Sequence, residues 1–385
     1  MALTGIRVLE MAGLAPAPMA GMILSDFGAK VVRVDRVKQS DTVDRLARGK
    51  KSIAVDVKSK EGTNLLRKLC LQSDVLIDPY RPGVMENMGL GPDSLMKEHP
   101  ELIYARLTGF GQYGPFKSMA GHDLNYLSIS GVLSMLGRRG ENPLAPVNLL
   151  ADFAGGGVMC SMGIMMALFD RTKTGKGQIV DASMVEGAAY VGSWLWRSQD
   201  MKFAWPTEVR GKNLLDSGAP FYDTYMTKDG KYMAVGAIEP QFYALVLKGL
   251  DLTEDELPGS QMDVEQWPKV KEVFAEVFAT KTQSEWCSEF DSTDACVTPV
   301  LSLEGAATHP HNASRGSFFM NQNKKYEPRP APRLSATTGI SGVKASPLIG
   351  QHTKEVLLEA GFSDGEIARL ADNEIIEISD YDELD

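Results

Sequence analysis

Several features that mark common protein classes are missing from this 385-residue sequence. Its four cysteines form no CxxC pair and have no neighbouring histidine, which argues against a zinc site or a disulfide framework and predicts the reduced thiols of an intracellular protein. No apolar run reaches about 18 residues, so we expect no membrane span and interpret the most apolar stretch, 153–169, as a buried helix. The first residues, MALTGIRVLE, do not resemble a signal peptide.

The composition is that of a globular protein. Hydrophobic residues make up 43% of the chain and charged residues 23%, which excludes disordered and collagen-like proteins. The 40 basic and 50 acidic residues give a formal net charge of −10, which argues against a general nucleic-acid or anionic-membrane binder. At roughly 150 residues per domain, the length predicts two or three domains.

Short apolar strands alternate with helices in the first part of the chain. This alternation is typical of parallel strands that are covered on both faces. The sequence therefore predicts an α/β fold with a doubly wound, Rossmann-like large domain. Strands are predicted at 6–9, 31–34, 53–57, 75–77, 102–107 and 178–181.

A second, smaller α+β domain is predicted from about residue 220. TYMTKDGKYMAVG alternates around an Asp-Gly turn and predicts a β-hairpin, and helices are predicted over 264–279 and 283–290. The predicted division is 1–200 for the N-terminal part of the large domain and 220–325 for the small domain. A linker and a segment returning to the large domain are predicted over 326–385, with a solvated acidic end at 372–385.

Positive charge is concentrated between residues 30 and 60. This segment has ten Lys or Arg against four Asp. At the carboxyl ends of early parallel strands, such a cluster can bind a polyanionic ligand. A solvated charged face explains the same count equally well.

The sequence does not predict a dinucleotide site. GFGQYG matches GxGxxG literally, but it follows the fifth strand and is followed by Pro115. No suitable acidic residue lies about 20 positions further on. We interpret the motif as a glycine turn that lets the backbone approach a ligand or a neighbouring strand.

Two candidate proton carriers lie near predicted helix N-termini. His122 precedes a helix predicted over 124–136, and Asp152 precedes another. Taken singly, Asp152 is explained as a helix cap and His122 as a turn residue. Taken together, they supply two acid–base groups beside backbone N–H groups, an arrangement that can stabilise an enolate.

Several stretches of the sequence resemble one family. They include RPGVMENMGLGP, LIYARLTGFGQYGP, GHDLNYL, LLADFAGGG, TGKGQIVDASMVEG, GAIEPQFY and TDACVTPVLSLEG. In this order along nearly the whole chain, they resemble the α-methylacyl-CoA racemases of the family III CoA-transferase superfamily. The resemblance implies inversion of the carbon beside a CoA thioester, in branched-chain fatty-acid and bile-acid-type side-chain metabolism.

The resemblance also implies an assembly and a set of site residues. It implies an interlocked homodimer, with each active site between the large domain of one subunit and the small domain of the other. His122 and Asp152 are then the two bases, with Glu239 near the histidine. The expected coenzyme A contacts are Arg36, Val55, Asp56, Val57 and Lys58, and the expected thioester segment is Gly121, His122, Asp123, Leu124, Asn125 and Tyr126. We expect no metal and no cofactor apart from the coenzyme A of the substrate.

Three alternatives stay open at this point. A CoA-transferase of the same superfamily would use Asp152 as a nucleophile, although His122 favours the racemase. A non-catalytic acyl-CoA-binding module would need neither residue. The methionines Met159, Met162, Met165 and Met166 share one predicted helix face, which we interpret mainly as core packing and alternatively as an adaptable surface for acyl chains.

The compartment is open as well. The resemblance implies a peroxisome or a mitochondrion. The final residues, YDELD, are not a peroxisomal signal, and the cytosol stays an alternative.

Overall fold

The computed structural model describes residues 1–39, 43–339 and 346–379. The chain forms two compact units. The large unit comprises Met1–Ser130, Val147–Val191 and His311–Asp385, and the small unit comprises Gly131–Pro146 and Gly192–Pro310. These bounds differ from the predicted division because Gly131–Pro146 groups with the small unit and the returning segment begins at His311. Part of the predicted acidic end, 380–385, lies outside the described residues.

Twelve strands are present in the described residues. They are β1 (Arg7–Met11), β2 (Lys30–Asp35), β3 (Lys51–Val55), β4 (Val75–Asp78), β5 (Ile103–Thr108), β6 (Ile179–Ser183), β7 (Tyr222–Met226), β8 (Tyr232–Gly236), β9 (Val297–Pro299), β10 (Phe318–Met320), β11 (Tyr326–Pro328) and β12 (Ile376–Glu377). The large unit has a seven-stranded sheet in the order β12-β3-β2-β1-β4-β5-β6. Strands β1 to β6 are parallel, and β12 pairs antiparallel with β3. The predicted doubly wound α/β fold is confirmed.

The α-helices connect and cover these strands. They are α1 (Pro16–Asp26), α2 (Lys60–Cys70), α3 (Val84–Asn87), α4 (Pro92–Glu98), α5 (Asp123–Ser130), α6 (Met159–Thr174), α7 (Met184–Val191), α8 (Ser193–Arg197), α9 (Pro240–Gly249), α10 (Trp267–Phe278), α11 (Gln283–Phe290), α12 (Leu303–Thr308), α13 (Pro310–Arg315), α14 (Thr353–Glu359) and α15 (Asp364–Asp372). A π-helix, Leu149–Val158, runs directly into α6.

Both faces of the large sheet are covered. On one face, the buried side chains of α2, α14 and α15 form a single apolar core with alternate residues of the strands, such as Leu9, Val34 and Leu76. On the other face lies α1, where Gly21 approaches the side chain of Glu10 of β1. Burial on both faces explains why these strands are almost continuously apolar in the sequence.

A glycine run lets the π-helix pack against its neighbours at backbone distance. A Cβ atom on Gly155 would lie 2.5 Å from the backbone nitrogen of Ala188 in α7. On Gly157, it would lie 2.8 Å from the side chain of Met19 in α1. The sequence LLADFAGGG is therefore a close-packing element between α1 and α7.

The expected buried helix over 153–169 is only half buried. Its remaining face exposes five large apolar side chains, Val158, Met162, Met165, Met166 and Phe169. Core packing is therefore the wrong interpretation for three of the four methionines. Among the described residues, Leu149–Thr174 is long and apolar enough to cross a membrane. This is weak support for a span, because packed helices of folded proteins pass the same test.

The helix expected over 124–136 is shorter in the structure. It ends at Ser130 because Gly131 has a φ of 82°, in the left-handed region that commonly ends helices. A short 3₁₀ turn, Val132–Met135, follows in the small unit.

The small unit has a three-stranded sheet in the order β7-β8-β9. The predicted hairpin is confirmed as β7–β8, and β9, which was not predicted, pairs with β8. Helices α10 and α11 and the region of β7 together form an aromatic core, with buried residues that include Phe221, Tyr225, Trp267, Phe278 and Trp286.

Candidate active site

A cleft of about 460 Å³ opens at the carboxyl edge of the large sheet. It lies between the segments that follow β1 and β4, where the strand order reverses, which is the usual binding position in doubly wound folds. Its lining belongs entirely to the large unit: Leu14, Pro16, Pro79, Arg81, Leu107, Thr108, Gly109, Phe110, Lys117, Met119, Ala120, Gly121, His122, Asn125, Tyr126, Asp152 and Met184.

His122 stands immediately before α5. Its backbone carbonyl accepts hydrogen bonds from the N–H groups of Asn125 and Tyr126, at 2.8 and 3.2 Å. Its own N–H donates to Oδ1 of Asn125 at 3.1 Å. The first turn of α5 thus fixes the backbone of His122, while the residue itself is exposed at the cleft.

Asp152 is in the first turn of the π-helix and is not its cap, because the helix begins earlier, at Leu149. Burial raises the pKa of Asp152 above its usual range, and the negative charge of Asp123 adds to the increase. A hydrogen bond from Asn148 and the nearby His122 act in the opposite direction. Part of the Asp152 population therefore stays protonated at a higher pH than for an ordinary aspartate.

Asp123 connects the two helix N-termini. It is the first residue of α5 and is only 5% exposed. Its Oδ1 accepts hydrogen bonds from the N–H groups of Ala151 and Asp152, at 2.7 and 2.8 Å. The side chain therefore serves the π-helix and does not line the cleft, although the sequence places it in the thioester segment.

Tyr126 closes the wall of the cleft beside His122. Its hydroxyl donates a hydrogen bond to the carbonyl of Gly121, and its ring meets Phe110 edge to face at 5.1 Å. A Cβ on Gly109 would lie 2.1 Å from this ring. Gly109 of the GFGQYG motif thus makes room for the Tyr126 side chain of α5.

The cleft brings together five of the predicted site residues. Gly121, His122, Asn125, Tyr126 and Asp152 all line it. Leu124 is exposed and is not part of the lining.

The residues predicted to contact coenzyme A lie at the same edge of the sheet but outside the lining of this cleft. Arg36 directly follows β2 and forms a hydrogen bond with the Tyr80 side chain. Burial raises the pKa of Tyr80, and the contact with Arg36 counteracts this increase. Val55 is buried at the end of β3, and Val57 packs against the core. Asp56 accepts a hydrogen bond from the N–H of Lys58, whose side chain is exposed.

Most charges of the basic segment, residues 30–60, are paired within the large unit. Within the described part of the chain, at least six of its ten basic residues form ion pairs, and the Lys50–Glu10 pair is fully buried, with Nζ and Oε2 2.8 Å apart. The six pairs are Lys30–Glu359, Arg33–Asp35, Lys38–Glu374, Arg48–Asp26, Lys50–Glu10 and Lys51–Glu355. The local charge count therefore overstates the part of this segment that a ligand can use.

Arg81 was not singled out from the sequence, although it lines the cleft. It lies three residues after the end of β4. Burial and the negative charge of Asp152 raise the pKa of Tyr126, and the positive charge of Arg81 lowers it. A basic residue just after a buried strand, at the edge where ligands bind, is a signal that could have identified it.

Glu239 lies in the small unit. It is exposed and stands immediately before α9. The expected position of Glu239 near His122 stays a prediction.

Chemically, the cleft offers a histidine and a partly buried carboxyl group beside two helix N-termini. Such a pair can exchange protons with a carbon acid, and N–H groups of a first helical turn can stabilise an oxyanion. The same carboxylate can also serve as a nucleophile. In residues 1–39, 43–339 and 346–379, no group of three His, Cys, Asp or Glu side chains is arranged to hold a metal ion.

Comparison with known proteins gives the family. The sequence profile of CoA-transferase family III matches residues 3–353. The chain belongs to this family. Two relatives of this chain are called alpha-methylacyl-CoA racemase. The one from Homo sapiens is 58% identical over 98% of each chain, and the one from Mus musculus is 56% identical over 98% of each chain.

A solved structure confirms the family III fold. A CAIB/BAIF family protein from Brucella suis superposes with a TM-score of 0.81, covering 93% of this chain and 99% of that chain. At 23% identity, this likeness shows the fold alone.

Proposed function

We propose that this protein is an isomerase that interconverts the (2R) and (2S) epimers of 2-methylacyl-CoA thioesters. The observation that carries the proposal is the presence of His122 and Asp152 on one cleft. The chain is also 58% identical, over 98% of its length, to a relative called alpha-methylacyl-CoA racemase. We place this reaction in the metabolism of branched-chain fatty acids and bile-acid-type side chains.

Inversion requires two groups on opposite faces of the reacting carbon. One group removes the proton from C2, and the electron pair of that C–H bond moves into the thioester carbonyl to form an enolate. The second group then delivers its own proton to the other face. For one direction, His122 starts neutral and Asp152 protonated, and for the reverse direction these states are exchanged. A single base would return its proton to the face from which it came.

The environment of Asp152 suits this exchange. Burial raises the pKa of Asp152 above its usual range, which favours the protonated form that this group needs for one direction of the reaction. The N–H groups of Ala151 and Asp152 are already occupied by Asp123. The N–H groups of Asn125 and Tyr126 donate to the His122 carbonyl. We therefore assign the enolate oxygen to the N–H groups of Asp123 and Leu124, at the start of α5.

Coenzyme A is bound as part of the substrate, at the carboxyl edge of the sheet. Arg36, with its fixed planar charge, suits a phosphate of the nucleotide part. The segment of Val55, Asp56, Val57 and Lys58 is the expected neighbour of that part, because β3 lies beside β2 in the sheet. The acyl chain then enters the cleft beside the apolar side chains of Leu14, Met119 and Met184.

A homodimer with interlocked subunits is part of the proposal. The large unit leaves an apolar face exposed on the helix that carries the methionines, with Met166 59% exposed and Phe169 64% exposed. Contiguous apolar surface of this kind is typical of interfaces. Glu239, as the partner of His122, and a peroxisomal, mitochondrial or cytosolic location likewise stay predictions.

The second candidate is CoA transfer between carboxylic acids. It is favoured by the family to which the chain belongs and by the presence of a half-buried carboxylate, Asp152, on the cleft. That carboxylate would attack the thioester and expel CoA as its thiolate, which leaves an acyl anhydride. The thiolate would then attack the Asp152 carbonyl, release the donor carboxylate and form an aspartyl-CoA thioester. This reaction does not require His122.

One experiment separates the two functions. The purified protein is incubated with a (2R)-2-methylacyl-CoA in D₂O without an acceptor acid, and deuterium at C2 and the chirality of the product are followed by NMR. Deuterium uptake with approach to an epimeric mixture is expected. Absence of exchange, followed by CoA transfer once a free carboxylic acid is added, would favour the transferase.

A further inference from the structure

We propose that Asp123 is a positioning residue: its carboxylate ties the helix that begins beside His122 to the helix that carries Asp152. The inference rests on the proposed function, because it concerns the relative placement of the two proton carriers. It also changes the expected role of Asp123, which the resemblance places among residues that hold the thioester.

The first reason is the geometry of the carboxylate. One oxygen, Oδ1, accepts two backbone hydrogen bonds from consecutive residues of the π-helix, at 2.7 and 2.8 Å. Both donors belong to the first turn of that helix, and one of them is the N–H of Asp152 itself. Because Asp123 directly follows His122, this contact joins the two catalytic positions through one side chain.

The second reason is the unusual backbone next to the two residues that Asp123 holds. Val147 and Asn148, which precede the π-helix, have φ angles of 62° and 96°. A β-branched residue in this left-handed region is strained and persists only where the surroundings determine it. The helix that follows has π geometry, which is rare and is usually found as a single turn within an α-helix. Such a segment needs external restraints.

The third reason is the location of the other restraints. Gly155, Gly156 and Gly157 fix the middle and end of the π-helix against α7 and α1. These contacts lie beyond Asp152 in the chain. At the beginning of the helix, the carboxylate of Asp123 holds the two backbone N–H groups nearest the side chain of Asp152. Asp123 thus fixes the backbone at Asp152, while Asn148 hydrogen-bonds the Asp152 side chain itself.

The consequence for the reaction is specific. Loss of the tether should leave proton removal by one group intact while delivery by the other becomes misaligned. Enolate that cannot be protonated on the opposite face takes its proton back from the same face. Exchange of the C2 proton with solvent should then exceed inversion.

The test uses the full-length protein and two substitutions. In Asp123→Ala both hydrogen bonds are lost, and kcat for inversion is expected to fall about a hundredfold, the effect of a small misplacement of reacting groups. KM is expected to stay nearly unchanged, and the ratio of C2 deuterium exchange to inversion should rise. In Asp123→Asn an amide oxygen still accepts the two hydrogen bonds, so most of kcat should return. Asp93→Asn, which removes an exposed acidic residue from the first turn of α4, is the control.

A second measurement does not depend on activity. Hydrogen exchange of the backbone amides of Ala151 and Asp152 should become faster in Asp123→Ala, because their acceptor is gone. Asp123→Asn and Asp93→Asn should keep the protection of the wild-type protein. If the wild-type protein does not epimerise, the proposed function fails, while this measurement still tests the tether.

Three results would overturn the inference. A higher KM with unchanged kcat and an unchanged ratio of exchange to inversion would show that Asp123 contacts the substrate. Unchanged protection of the two amides in Asp123→Ala would show that the carboxylate restrains nothing. Equal losses in Asp123→Asn and Asp123→Ala would show that the hydrogen bonds are not what matters.

Discussion

Two polar regions of the large unit differ in how their charges are used. The basic segment, residues 30–60, holds many charges, and most of them are neutralised by ion pairs within the unit, such as the buried pair Lys50–Glu10. The cleft holds few charges, and His122 and Asp152 face open space there. In the basic segment, the high density of charge therefore belongs to a network of ion pairs that stabilises the fold. In the cleft, by contrast, a small number of titratable groups indicates where a reaction can take place.

The difference has a physical basis. A charge inside a protein is tolerated when a partner and hydrogen bonds replace the lost water, and such a charge is then unavailable to a ligand. Groups at a cavity keep part of their hydration until substrate displaces it. Substitutions in the two regions should accordingly change different quantities.

The largest effect is expected from the two proton carriers. His122→Ala and Asp152→Asn should each lower kcat for inversion by about a hundredfold to ten-thousandfold, because each removes a general acid–base group. Binding of a CoA thioester, measured by calorimetry, should change little. His311→Ala, at an exposed position of α13, is the control and should keep full activity. Racemisation at the wild-type rate in either catalytic variant would disprove the two-base reaction.

A comparable effect, on stability instead of activity, is expected for Lys50→Met. Lys50 and Glu10 are both 0% exposed, and Lys50 also donates to the carbonyl of Pro18 at 3.0 Å. Removal of the cation leaves a buried carboxylate unpaired, which costs about 3–5 kcal/mol of unfolding free energy. Denaturant unfolding at neutral pH measures the loss.

Two further variants sharpen this result. Lys50→Met combined with Glu10→Leu should recover much of the stability, because no unpaired charge is left. Lys58→Ala, at an exposed position of the same segment, should change stability by less than about 0.5 kcal/mol. A small loss in Lys50→Met would mean that the segment is a solvated face.

A smaller effect is expected from Arg36→Ala, on substrate affinity. Arg36 follows β2 at the ligand-binding edge and forms none of the ion pairs described for the basic segment. Loss of a charge-assisted contact with a phosphate costs about 1.5–3 kcal/mol, so KM should rise about tenfold to a hundredfold with kcat unchanged. Lys60→Ala removes the same charge from an exposed position and should leave KM unchanged. Equal effects of both substitutions would show that the summed positive charge of the segment, and not a specific contact of Arg36, attracts the ligand.

The architecture of the large unit could be predicted from the sequence because its signals are local. Short apolar strands, such as 75–77 and 102–107, are recognisable by composition, and the alternation with helices implies a parallel sheet. The hairpin β7–β8 was likewise predictable from its Asp-Gly turn. Helix α11 was predicted with the bounds that the structure shows, Gln283–Phe290.

The details of the site depend on tertiary contacts that no local pattern encodes. The π-helix arises where Gly155 and Gly187 let two helices meet at backbone distance. The burial of Asp123 follows from its contact with residues 28 and 29 positions further along the chain. The ion pairs of the basic segment include acidic partners as distant in the chain as Glu359 and Glu374. Counting charges within a window therefore misjudged which of them were available.

The smallest effect in this comparison is a change in pH dependence. Burial raises the pKa of Asp152 and the charge of Asp123 raises it further, so Asp123→Asn should lower that pKa, because a neutral neighbour makes ionisation easier. The acidic limb of kcat/KM, which reports ionisation of the free enzyme's carboxyl group, should move to lower pH by less than about one unit. Asp93→Asn removes an equal charge that is not among those acting on Asp152, and it should leave the limb in place. An acidic limb that stays in place in Asp123→Asn, or that moves to higher pH, would show that another group controls it and that the charge of Asp123 does not reach the reacting carboxyl group.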